Sequence, residues 1–136
     1  MADVEGHSER EMMRRDRASA LLGMVVVKGD HGHAVVSMLL RDDMMNGHGI
    51  THGGFVFSLA DTAFAISCND DVTVTVAAGA DITFLKPTVV GQTLTATAVR
   101  KGGRGRTGLY DVTVVDQTGD VVAEFRGRSF TTDRTL

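Results

Sequence analysis

The sequence predicts an α+β fold in which a curved antiparallel sheet wraps around one long central helix. Three observations carry that prediction. Residues 54–69 place apolar side chains almost all round a helix, with Phe55, Leu59, Ala60, Ala63, Phe64 and Ile66 prominent, and a helix apolar on most sides is buried rather than laid on a surface. The second half of the chain is a succession of Val-, Thr- and Ala-rich runs, two of them alternating with the period of a half-buried strand. The linkers between the runs are short and Gly-rich, which suits antiparallel turns.

Taken in order, residues 1–7 read as a frayed tail and residues 8–20 as a short N-terminal helix. Ser8-Glu9-Arg10-Glu11 has capping-box spacing, so the helix is expected from about Glu9 to Ala20, and Gly23 ends its register. Residues 24–27 and 34–40 are two β-rich runs around Gly29-Asp30-His31-Gly32, a hairpin. Residues 41–51 form a polar, Gly-bearing loop before the central helix. Strands follow over residues 72–84, 94–100, 110–115 and 121–130, with Pro87 and Gly91 marking the break after the first. One domain over residues 1–136 accommodates all of this, without internal repeats.

Composition narrows the function. Hydrophobic residues make up 43% of the chain, enough for a proper core, which in the absence of Trp is built from Val, Leu, Met and Ala. A formal net charge of -3 argues against nucleic acid as the main partner, because such binding leans on a basic face. A single cysteine, Cys68, excludes an internal disulfide and fits a reducing compartment. The first residues contain no apolar signal-peptide core, and no apolar run is long enough to span a membrane. A soluble, cytoplasmic protein is expected.

The chemistry concentrates in residues 46–61, NGHGITHGGFVFSLAD. A helix that starts on Gly53-Gly54 has bare backbone N–H groups at its positive end, a ready site for a developing negative charge. Asp61 is the lone carboxylate on the apolar helix, and such a group costs free energy unless it has a task or a partner. Together they point to a site where an oxyanion is stabilised and a carboxylate acts on water or on a carbonyl. Plainer roles stand beside these: Asp61 as a buried structural carboxylate paired with an Arg, His52 as a cap, Asn46 as a turn residue.

Other signals are weaker. His48 and His52 have the spacing of two zinc ligands on a helix, but Gly47, Gly49 and Gly53 oppose a helix there and no third ligand is evident, so no metal is expected. His31 and His33 fall in a turn. There is no G-x-S-x-G, so Ser58 is not an elbow nucleophile. Cys68, at the helix end, reads as packing. Lys101, Arg104 and Arg106 lie in a Gly-rich basic segment, open to two readings: a cradle for the phosphates of coenzyme A, or a solvated hairpin tip.

Asn46-x-x-Gly49-x-x-His52-Gly53-Gly54 followed by Ser58-Leu59-Ala60-Asp61 resembles the signature of hotdog-fold acyl-CoA thioesterases. Phe84-Leu85-Lys86-Pro87, residues 94–98, residues 107–112 and Phe125-Arg126-Gly127 resemble in particular the thioesterases of phenylacetate pathways, over roughly residues 8–130. The resemblance implies hydrolysis of phenylacetyl-CoA or its ring-hydroxylated forms. It implies that the Gly53 N–H polarises the thioester carbonyl, that Asp61 attacks or activates water, and that Asn46 and His52 line the site. Gly54, Lys86 and Pro87 are the further substrate contacts expected; Lys101, Arg104 and Arg106 are not part of the motif and join them only on the phosphate-cradle reading. No cofactor is implied; coenzyme A enters as part of the substrate.

Spacing adds a structural consequence. Gly53 and Asp61 are eight residues apart, about 12 Å along a helix axis, yet both must reach one carbonyl. One helix cannot do this, so a homodimer with Gly53 of one subunit facing Asp61 of the other is expected, and a dimer of dimers beyond it. The alternatives are a hotdog dehydratase or hydratase, which would use a His as principal acid and base, and a non-catalytic acyl-CoA-binding protein. The residues before the first strand are too few to build a helix-turn-helix for a DNA-binding sensor.

Overall fold

The computed structural model describes residues 11–70 and 72–135. The elements are α1 (Glu11–Arg14), α2 (Arg17–Leu21), β1 (Val25–Asp30), β2 (His33–Leu39), a single 3-10 turn (Asp42–Met44), α3 (Gly53–Cys68), β3 (Thr73–Phe84), β4 (Thr93–Arg104), β5 (Thr107–Val115) and β6 (Val121–Thr135). The strands form one antiparallel sheet in the order β1-β2-β4-β5-β6-β3, and α3 packs against it. The expected fold class is the one found. No helix among the described residues is long and apolar enough to cross a membrane.

The strand alternation explains where the core sits. Ala34, Val36 and Met38 of β2, Leu94, Ala96 and Ala98 of β4, and Tyr110, Val112 and Val114 of β5 are buried at every second position. They face Val56, Leu59, Ala60, Ala63, Phe64 and Ile66 of α3, all buried as well. Phe64 is the largest of them, stacked edge-on against Tyr110 at 5.5 Å. Truncating such a residue typically costs about 3–5 kcal/mol. Helix and sheet approach so closely that a Cβ on Gly127 of β6 would lie 2.7 Å from the Phe64 ring.

Two expectations need correction. The N-terminal helix is not continuous to Ala20: it breaks between α1 and α2, because Asp16 adopts an extended conformation and its side chain accepts the Ser19 N–H, starting a new helix. The frayed tail and the Ser8 cap lie outside the described residues. The strand expected to end at Arg100 runs on to Arg104, so Lys101 and Arg104 belong to β4 and the tip is the turn around Gly105 and Arg106. A register shift between Arg100 and Gly102 bends the strand there.

The path of the chain leaves β3 on one edge of the sheet. After α3, β3 pairs with β6 and with no other strand, and the chain returns through Pro87 and Gly91 to put β4 beside β2. Within the described residues the other flank of this 12-residue strand is unpaired.

Candidate active site

The loop before α3 is folded by its own polar groups. Asn46 Oδ1 accepts the N–H groups of His48 (2.8 Å) and Ile50 (3.3 Å), while the Asn46 N–H donates to the Ile50 carbonyl at 2.7 Å. Thr51 and Thr88, both buried, join their hydroxyls at 2.8 Å and so tie this loop to the segment after β3. The His52 N–H donates to the Met44 carbonyl at 2.8 Å. Chain entry into α3 is thereby fixed.

His52 is the N-cap of α3. Its Nδ1 accepts the Gly54 N–H at 3.1 Å and its carbonyl accepts the Phe55 N–H at 3.0 Å. Of the first three N–H groups of the helix, Gly53 alone has no acceptor among the described residues. That donor sits on a cleft of about 380 Å³ whose lining includes Asn46, Val56, Phe84, Lys86 and Pro87. The Phe84 ring lies directly over it: a Cβ on Gly53 would come within 3.0 Å of the ring.

Lys86 contributes its chain to the cleft wall, but its ammonium is engaged elsewhere. Nζ lies 2.7 Å from Asp116 and 2.7 Å from Asp120, in the turn between β5 and β6. The same pairing raises the Lys86 pKa. Gly54 is exposed, and its N–H is spent on the cap.

Asp61 lies two turns further along α3 and does not line this cleft. It is partly buried, and its carboxylate has no hydrogen bond or ion pair among the described residues. Burial pushes its pKa above the ordinary carboxylate value, and the negative charge of Asp16 pushes it further. The structure thus brings Asn46, Gly53, Lys86 and Pro87 together and leaves Asp61 about 12 Å from Gly53 along the axis.

The basic segment is at the other end of the helix. Arg106 lines a second cavity of about 200 Å³ with Cys68, Arg100 and Tyr110. Its guanidinium donates to the Thr131 carbonyl and to Asp133. Lys101 Nζ is 4.0 Å from Asp111, and Arg104 forms no ion pair among the described residues. Nor do the described residues gather three His, Cys, Asp or Glu side chains in an arrangement that would hold a metal ion; His48 sits in the loop and His52 on the helix cap.

Sequence reasoning passed over Asp16 and Ser19. Ser19 is buried, donates two hydrogen bonds to Asp16 and meets Thr62, the neighbour of Asp61. The signal was present as an Asp three residues before a Ser, the spacing at which a capping carboxylate meets the third residue of a helix.

The profile of the thioesterase superfamily matches residues 48–123. Acyl-coenzyme A thioesterase PaaI of Escherichia coli is 47% identical over 119 residues, which are 87% of this chain and 84% of that protein. The structure of the E. coli PaaI protein from the phenylacetic acid degradation operon superposes with a TM-score of 0.88 at 44% identity, covering 91% of this chain and 90% of that one. A mutant of the phenylacetic acid degradation protein PaaI from Thermus thermophilus superposes with a TM-score of 0.80 at 35% identity, covering 86% of this chain and 100% of that one.

Proposed function

The chain belongs to the thioesterase superfamily, and on that premise we propose that it hydrolyses acyl-CoA thioesters, phenylacetyl-CoA or its ring-hydroxylated forms foremost, in a site shared by two subunits. One observation carries the reading. The helix that offers a Gly53 N–H unengaged among the described residues also bears a carboxylate without a partner among them, Asp61, and the two are too far apart to serve one carbonyl within a subunit.

The unpaired flank of β3 supports the assembly. A long open edge invites pairing with another strand. Two copies of β3 related by a two-fold axis would run antiparallel, with the Phe84 end of one opposite the Thr73 end of the other. Their α3 helices would then also run antiparallel, and Gly53 of each would approach Asp61 of the other. A dimer of dimers is the assembly expected beyond this pair.

The chemistry follows from the groups. The thioester oxygen enters the cleft and accepts the Gly53 N–H, whose position at the head of α3 adds the positive end of the helix dipole. Asp61 attacks the carbonyl carbon, or takes a proton from the water that does. Negative charge gathers on the oxygen facing Gly53 and then collapses to expel the coenzyme A thiolate. This leaves the free acid where water attacked or, where Asp61 attacked, a mixed anhydride that water then opens to the free acid and the restored carboxylate. That leaving group is acidic enough to depart without a dedicated general acid. His52, with Nδ1 spent on the helix cap, acts as an orienting group, which sets this site apart from a dehydratase built on a His. Coenzyme A enters only as part of the substrate.

The test is a panel of acyl-CoA thioesters followed with a thiol reagent. Thiol release highest with arylacetyl-CoA supports the reading. Enoyl absorbance without thiol release, or binding without turnover, sinks it. Single-turnover hydrolysis in ¹⁸O-labelled water addresses the role of Asp61, since label entering its carboxylate supports direct attack through an anhydride.

A further inference from the structure

The residues around Asp61 include a second carboxylate outside the segment matched by the superfamily profile. Asp16 sits between α1 and α2. Its Oδ1 accepts the Ser19 N–H at 2.9 Å and its Oδ2 accepts the Ser19 hydroxyl at 2.6 Å. Ser19 Oγ is also 3.2 Å from Thr62 Oγ1, and the Thr62 oxygen lies 2.8 Å from the Ser58 carbonyl. Two hydroxyl hydrogens thus serve three contacts. An ionised Asp16 can only accept, so the Ser19 hydrogen goes to Asp16. Ser19 Oγ is then an acceptor, and the Thr62 hydrogen is shared between Ser19 and the Ser58 carbonyl.

We propose that Asp16 is a positioning residue for Asp61: through the Ser19–Thr62 hydroxyl pair it fastens α2 against the turn of α3 that carries Asp61, and it holds a second negative charge beside that carboxylate. Ser19 is only 2% exposed, so this tie is shielded from competing water. The charge acts in the expected sense, since Asp16 adds to burial in raising the Asp61 pKa. A carboxylate that acts as a base near neutral pH works better with its pKa raised toward that pH. This kinetic consequence rests on the proposed hydrolysis; the electrostatic coupling does not.

The other charges around Asp61 are accounted for. On α1, Glu11 is paired with Arg15 at 2.9 Å and with Arg14 at 3.8 Å. On α2, Arg17 is exposed. On α3 the other titratable side chain is Cys68, at the far end with Tyr110, Arg100 and His31. The buried residues of β1, β2, β4, β5 and β6 that face the helix carry no charge, Tyr110 and Ser129 being the polar ones. Lys28 and Asp30 of β1 pair with each other, and Asp81 of β3 and Asp111 of β5 pair with Arg128 and Arg126. In the proposed dimer the head of the second α3 adds His52 of the partner subunit. Among the described residues, Asp16 is the charge that moves Asp61.

Asp16→Asn separates charge from tether. Asn is as good an N-cap as Asp. Its Oδ1 still accepts the Ser19 N–H, and its Nδ2 donates to Ser19 Oγ, whose hydrogen then turns to Thr62. The Asp61 carboxyl is titrated by ¹³C NMR in the intact protein. In Asp16→Asn its midpoint should fall, as expected for loss of a neighbouring like charge, with Tm unchanged. The acid limb of the kcat–pH profile should move down with it. Ser19→Ala cuts the tether and should also lower the midpoint, with kcat reduced severalfold and KM little changed. An Asp61 midpoint that stays in place in Asp16→Asn overturns the proposal. So does a uniform loss of kcat at every pH with that midpoint fixed, which would leave Asp16 a plain helix cap. A wild-type protein that releases no thiol would sink the proposed hydrolysis, yet the NMR titration would still decide the coupling.

Discussion

Asp61 on α3 and Asp116 in the turn between β5 and β6 are both shielded carboxylates in opposite circumstances. The Asp116 side chain has no exposed surface. It accepts from Lys86 Nζ at 2.7 Å, from the Thr118 hydroxyl at 2.6 Å and from the N–H groups of Thr118 (2.9 Å) and Asp120 (3.2 Å). Lys86 above all, with these donors, holds its pKa well below the ordinary carboxylate range. Asp61 has no such donor among the described residues, and burial drives its pKa the other way. The residue type is the same; the partners decide whether it braces the fold or stands ready for chemistry.

Substitution to Asn should therefore split the two. Asp61→Asn keeps the shape but removes the base or nucleophile, and kcat should drop by about a hundredfold or more, equivalent to roughly 2.7 kcal/mol of barrier. More than about a tenth of wild-type kcat, a loss under ~1.4 kcal/mol, would end the assigned role. The same variant should melt higher at pH 7–8. A carboxyl whose folded pKa is raised costs stability once ionised, so removing it helps above that pKa. The gain should shrink as pH falls and vanish below about 3.9, where the wild-type group is protonated in both states.

Gly53→Pro probes the donor that Asp61 faces in the proposed dimer. Proline suits the first position of a helix, and His52, at φ -62 and ψ 129, already has the extended backbone a residue before proline needs. The variant lacks the N–H, and the half-exposed Phe84 ring must shift to admit the new carbons. A loss of about 10²–10³ in kcat is expected for one such donor, with helical content by circular dichroism unchanged. Near-normal kcat would move the oxyanion site away from Gly53.

Asp116→Asn should do the reverse of Asp61→Asn, lowering Tm while leaving kcat near normal. The carboxylate's depressed pKa means its contribution is present above the unfolded value of about 3.9 and fades as pH drops below it. The Tm gap to wild type should accordingly narrow in acid. A variant that melts like the wild type at pH 7 would show that Lys86 is held without it. The smallest effect is expected at the strand tip. Arg104→Gln should raise KM for CoA substrates by about two- to threefold with kcat unchanged, as for a contact equally present in ground and transition states. An unchanged KM would make the segment a solvated tip.

The contrast between the two carboxylates also marks what a sequence can disclose. The buried helix, its Gly-Gly start and Asp61 were legible because they are local: periodicity and spacing within 16 residues define them. The partners of Lys86 were not. Asp116 and Asp120 are 30 and 34 positions away, and only the β5–β6 turn brings them beside Pro87. The same holds for β3, whose Val-, Thr- and Ala-rich run predicts a strand but not its place at the sheet edge, next to β6. The break at Asp16 escaped although its cue is local, an Asp three residues before a Ser, because the same residues also read as one continuous helix and cap spacing alone does not separate a helix start from a helix interior. The basic run looked like a loop because of its glycines, yet pairing with β5 carries β4 through Gly102 and Gly103.

The central claim is a site made by Gly53 of one subunit and Asp61 of the other, and mixed dimers test it most directly. Asp61→Asn and Gly53→Pro homodimers should each be inactive. Unfolded together and refolded at equal concentration, about half of the dimers would be mixed, and each mixed dimer would hold one site with both native groups and one with neither. Activity should return to about a quarter of the wild-type level. Mixing verified by mass spectrometry with no recovered activity would contradict the shared site.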